Sequence, residues 1–95
     1  MKRFPIEVGC FVRSTAGRDA GRLFIVIQEC DADFVLIADG GLRGLERPKR
    51  KRRKHLKPTG RRAEAFLGRI ADGDKVENHE VRSWLKKEEE QLVQV

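Results

Sequence analysis

Through the first sixty residues the apolar positions come in short runs punctuated by Gly and Asp. That spacing leaves no room for a long helix and fits short strands joined by tight turns. Val8 to Arg13, Leu23 to Gln28 and Phe34 to Ala38 are the three clearest runs, rich in the Val, Ile and Phe that suit a pleated surface. The polar link Ser14 to Gly21, the acidic stretch Glu29-Cys30-Asp31-Ala32-Asp33 and the tripeptide Asp39-Gly40-Gly41 read as turns. Leu42 to Glu46 is a weaker fourth strand stopped by Pro48, and His55 to Lys57 a fifth stopped by Pro58. Five short strands in under sixty residues predict a small closed or half-closed antiparallel barrel. Closure also removes exposed strand edges.

After Pro58-Thr59-Gly60 the period changes. Ala63, Phe66, Leu67 and Ile70 fall on one face of a helix ending near Asp72-Gly73. Asn78 is placed as the N-cap of a second helix whose sticky face carries Val81, Trp84, Leu85 and Leu92. Helices this short are marginal alone in water, so both should dock. The expected fold is mainly β with α. Residues 1–58 form a small barrel carrying a basic strand or loop, and residues 59–95 form a helical extension.

The formal net charge of +6 is concentrated. From Arg47 to Arg62 there are ten Lys and Arg residues and no Asp or Glu, leaving eleven basic against fifteen acidic residues elsewhere. A localised patch of this kind is the footprint of a polyanion partner. Cys10 and Cys30 form no disulfide framework and, with His79, no metal-ligand spacing. Met1-Lys2-Arg3 leads into a pattern broken by Pro5 and Glu7, which is no signal peptide, and no run is long enough to span a bilayer. A cytoplasmic location is expected, with no membrane partner. No Walker loop, nucleophile elbow or dinucleotide fingerprint is present, so neither an enzyme, a cofactor nor a small-molecule substrate is expected.

The stretch VGCFVRSTAGRDAGRLFIVI, Val8 to Ile27, is a strand, a glycine-punctuated loop and a second strand. A loop laid against a phosphate chain needs positions without side chains, which Gly17 and Gly21 supply, and benefits from backbone N–H groups free to donate. Arg13, Arg18 and Arg22 surround it with forked donors suited to phosphate oxygens. Spacing alone is equally compatible with a plain hairpin among solvated arginines.

These residues carry a resemblance. Gly9, Val12, Arg13, Ser14, Ala16 to Arg22 and the run through Ile27 resemble the KOW-motif proteins. In particular they resemble the archaeal and eukaryotic large-subunit ribosomal proteins with a single KOW barrel, and their small bacterial relatives. Val35-Leu36-Ile37-Ala38-Asp39-Gly40 and the basic stretch after it continue the likeness, which covers residues 6 to 58. The resemblance implies an SH3-like barrel whose motif loop and neighbouring basic strand contact RNA, most often ribosomal RNA. It makes Arg13, Ser14, Gly17, Arg18, Gly21 and Arg22 candidate contacts.

Arg47, Lys49, Arg50, Lys51, Arg52, Arg53, Lys54 and His55 complete the candidate RNA-binding set as a phosphate-neutralising ribbon. Such contacts position a protein and carry little sequence information. Tyr is absent, and Phe11, Phe24 and Phe34 sit in strands and read as core. Few stacking surfaces remain, which favours folded RNA read by shape and backbone, and weighs against a methyl-lysine cage. Two rival readings stay open. One is an adaptor that docks a protein partner through the C-terminal helices, and the other is a nonspecific DNA binder.

Overall fold

The computed structural model describes residues 6–92. The opening stretch Met1–Pro5, read above as no signal peptide, lies outside the described residues. Five strands form one antiparallel sheet: β1 (Cys10–Ser14), β2 (Leu23–Glu29), β3 (Phe34–Ala38), β4 (Lys49–Arg52) and β5 (Leu56–Arg62), in the order β4-β3-β2-β1-β5. The helices α1 (Glu64–Ala71) and α2 (Asn78–Leu92) follow. Register shifts between Cys10 and Val12 and between Val26 and Gln28 bend the sheet into a barrel-like curl.

Alternation along β1 and β2 sends apolar side chains to both faces of the sheet. Cys10, Val12, Phe24 and Val26 join Val35, Ile37 and Leu56 inside the curl. Phe11, Leu23 and Ile25 point the other way and pack against Ala63 and Phe66 and against Val81 and Leu85 of α2. Phe66 meets Trp84 edge-on, with ring centroids 6.2 Å apart. The helices therefore cover the outer face of β1 and β2 and leave the outer face of β3 and β4 open.

Four local expectations are corrected. Leu42 to Glu46 is a chain of turns, not a strand, and Leu42 is 72% exposed at its tip. Asp39 explains this, because its Oδ1 accepts from the amides of Gly41 and Arg43 (both 2.9 Å) and closes the chain on itself. Gly40, at φ +76°, lies so close to the carbonyl of Asn78 that a Cβ would sit 2.4 Å from it. The basic run instead supplies the fourth strand, and β5 continues through Pro58 as far as Arg62. Proline is tolerated because β5 ends the strand order, so its missing N–H removes no ladder bond on the open side. The third correction concerns Asn78, whose side chain accepts from the Leu45 amide (2.8 Å) and donates to Glu46 (2.9 Å). Glu80 takes the capping role by reaching back to the Glu77 amide (3.0 Å). Ile70, expected on the buried face of α1, is 43% exposed.

Phe66→Ala is expected to lower stability by about 3 kcal/mol through the cavity left beneath α2. Urea unfolding followed by Trp84 fluorescence checks this. The Glu77 amide, with Arg69 beside it, holds the Glu80 carboxyl below its ordinary value of 4.5. Its stabilising effect is present above that value and is lost as pH falls through the lower one. Acid titration should therefore loosen the first turn of α2, and Glu80→Gln should lack this acid-dependent step in circular dichroism.

Candidate nucleic-acid interface

The loop between β1 and β2 is closed by its own backbone. Ser14 N donates to Arg22 O (3.0 Å), Gly21 N to Ser14 O (2.8 Å) and Arg22 N to Asp19 O (3.0 Å). Gly17 and Gly21 adopt φ of +78° and +86°, which side-chain-bearing residues rarely enter. Among the described residues the amides of Gly17 and Arg18 donate no hydrogen bond, and the Arg18 side chain has no partner. The crown of the loop thus offers exposed donors and one free guanidinium.

Beneath the crown lies a buried anion. Asp19 is only 2% exposed, with Arg43 Nη2 at 3.5 Å and Lys49 Nζ at 3.7 Å from its carboxylate. Lys51 Nζ donates to the Ala16 carbonyl (2.8 Å). Two lysines of β4 therefore point under the motif loop, and the loop and the basic strand meet. On the other flank the Thr15 amide donates to the His55 carbonyl (2.9 Å), which sets the 3-10 turn Arg53–His55 beside the same loop.

The candidate residues separate by what they touch. Ser14 is 1% exposed and donates to the Ala16 carbonyl (3.1 Å). Arg13 donates to Gly21 O (2.7 Å) and to Glu89 of α2 (2.7 Å), and Arg22 donates to Asp39 (3.2 Å). Arg53 turns back onto Glu29 (2.9 Å), the Asp31 carbonyl and the Ile6 carbonyl. Arg47, Arg52 and Lys54 are exposed and form no ion pair among the described residues. Arg50 and Arg52 alternate away from the motif loop, onto the open face of β3 and β4. Their guanidinium carbons lie 3.6 Å and 4.8 Å from the ring centroid of Phe34.

Sequence reasoning missed Arg43, the anchoring role of Asp19, and the partial exposure of Phe34. Asp19 carried a signal, being the lone acidic residue between Val8 and Gln28. The acidic turn is also structural. Asp31 Oδ1 accepts from the amides of Asp33 and Phe34 (both 2.8 Å), which hold its carboxyl below the ordinary range, with Arg50 and Arg53 adding to the effect. Among the described residues no group of three His, Cys, Asp or Glu is placed to hold a metal ion, and no helix is long and apolar enough to cross a membrane.

A curled five-stranded antiparallel sheet with a glycine-punctuated loop resting on its basic strand is the architecture that the KOW resemblance implies. No family model matches the chain. Over 56 residues it is 43% identical to large ribosomal subunit protein eL14 of Desulfurococcus amylolyticus, covering 57% of this chain and 56% of that protein. The chain thus spans little more than half the length of this relative. Within that stretch the resemblance to KOW-type ribosomal proteins is borne out.

Asp19→Asn is expected to destabilise the fold by about 2 kcal/mol by leaving Arg43 and Lys49 without their counter-charge. This falls short of the roughly 3–5 kcal/mol of a fully buried pair because both cations keep access to water. A thermal melt of the variant beside the parent measures it.

Proposed function

We propose that this chain is a non-enzymatic RNA-binding protein that grips the phosphate backbone of structured RNA, and that its RNA is ribosomal. The observation that carries the reading is the pairing of a donor-rich loop crown with unpartnered cations beside it. The loop that carries the Gly17 and Arg18 amides and the Arg18 side chain is joined at Thr15 to the turn that bears Lys54. Backbone amides and guanidinium groups suit phosphate oxygens, and a preformed loop meets them without an ordering penalty. Likeness to a large-subunit ribosomal protein supports ribosomal RNA, a role in translation and a cytoplasmic setting.

Arg13, Arg22, Lys49 and Lys51 serve this reading indirectly, by holding the loop in shape. Direct contacts fall to Arg18, Arg47 and Lys54, and to Arg52 on the open face of β3 and β4. The adaptor reading draws less support, because Phe66, Val81 and Leu85 are buried against β1 and β2, and the large apolar side chains that the helices expose among the described residues, Ile70 and Leu92, sit at their C-terminal ends.

Salt titration of binding to a folded large-subunit rRNA fragment tests the proposal. Four phosphate contacts on a duplex region correspond to a log–log slope of roughly −3 to −4. The double variant Arg18→Ala/Lys54→Ala is expected to flatten that slope by about 2 while circular dichroism stays unchanged. An unaltered slope would move the contact away from the loop. Salt-independent cosedimentation with ribosomal subunits would favour a protein partner.

A further inference from the structure

The open face of β3 and β4 holds an arrangement that phosphate binding does not require. Phe34 and Leu36 project from it, half-buried, opposite Arg52 and Arg50 in the strand register. The guanidinium of Arg50 lies 3.6 Å above the Phe34 ring centroid, and that of Arg52 lies 4.8 Å away. Two cations thus share one ring. Their mutual repulsion is eased by the ring's electron-rich face and would be eased further by another π system. The Arg50 side chain is 57% exposed, so water still reaches much of its surface. Neither helix covers this face, since both pack on β1 and β2.

The charge around the site decides what it can take. Asp31 Oδ2 stands 3.8 Å from Arg50 Nη2, and Glu29 pairs with the neighbouring Arg53. A phosphate entering beside Arg50 would meet these carboxylates. A neutral base would not, and its amino groups could donate to Asp31.

We infer that the Phe34–Arg50–Arg52 cluster is a stacking site for one unpaired nucleobase of the bound RNA. The base lies on the exposed guanidinium plane of Arg50, which the Phe34 ring backs from beneath, and Arg52, free of any ion pair among the described residues, takes its flanking phosphate. The inference rests on the RNA reading above and adds a preference for RNA with a bulged nucleotide. Because every base has a π face, that preference is indifferent to base identity.

The test compares two RNA hairpins of equal stem length, one fully paired and one carrying a single-nucleotide bulge. The parent protein should bind the bulged hairpin about tenfold more tightly. Phe34→Leu should erase that ratio while keeping the salt slope and the affinity for the paired hairpin. Arg50→Lys, which keeps the charge but loses the plane, should reduce the ratio as well. Circular dichroism of both variants establishes that they remain folded, as expected for partly exposed positions. Equal binding of the two hairpins by the parent, or a ratio that survives Phe34→Leu, overturns the stacking site and leaves the RNA reading in place. Failure of the parent to bind either hairpin overturns both.

Discussion

Burial of the β1–β2 hairpin on both of its faces is the constraint that organises this molecule. In so short a chain a single curled sheet encloses little apolar volume. Here the same two strands serve two clusters, with Val12, Phe24 and Val26 facing inward and Phe11, Leu23 and Ile25 facing the helices. The helices therefore complete the barrel as structural parts. They also fix which surfaces remain open, because one side of the sheet is capped and the β3–β4 side is not.

That arrangement divides the cations into two kinds. Lys49, Lys51 and Arg43 meet the loop from below and hold it through Asp19 and the Ala16 carbonyl. Arg13 and Arg22 link it sideways to Glu89 and Asp39. These groups are already engaged, and an incoming polyanion would have to compete for them. Arg18, Arg47, Arg52 and Lys54 carry no such commitment. A charge count over the whole basic stretch overstates the contact surface, because Lys49, Arg50, Lys51, Arg53, Arg61 and Arg62 are already engaged with carboxylates or a carbonyl.

The strands β1, β2 and β3 were legible because their apolar runs are short and bounded by Gly and Asp. The motif loop was legible because Gly17 and Gly21 sit where the backbone turns left-handed. What escaped the sequence were features set by tertiary partners. Lys-Arg-Lys-Arg has poor strand propensity, yet it pairs with β3 because Lys51 finds the Ala16 carbonyl and the arginine guanidinium groups find the Phe34 ring. Asn78 looked like a cap, but the nearby Leu45 and Glu46 claimed its amide. Phe34 has the composition of a core residue, and only the register places it on the outer face. In the site, residue types pointed to the right region without separating the scaffolding arginines from the available ones.

The strand order carries one more consequence. Its two terminal members, β4 and β5, are Lys-Arg-Lys-Arg and a segment with Lys57, Arg61 and Arg62. Unpaired strand borders are where β-proteins add to one another and aggregate. Both borders here bear the same sign of charge, and one includes Pro58, which has no amide hydrogen to offer a newcomer. Two molecules approaching border to border repel each other. The cations gathered at these borders therefore set like charge against like wherever two copies meet edge to edge.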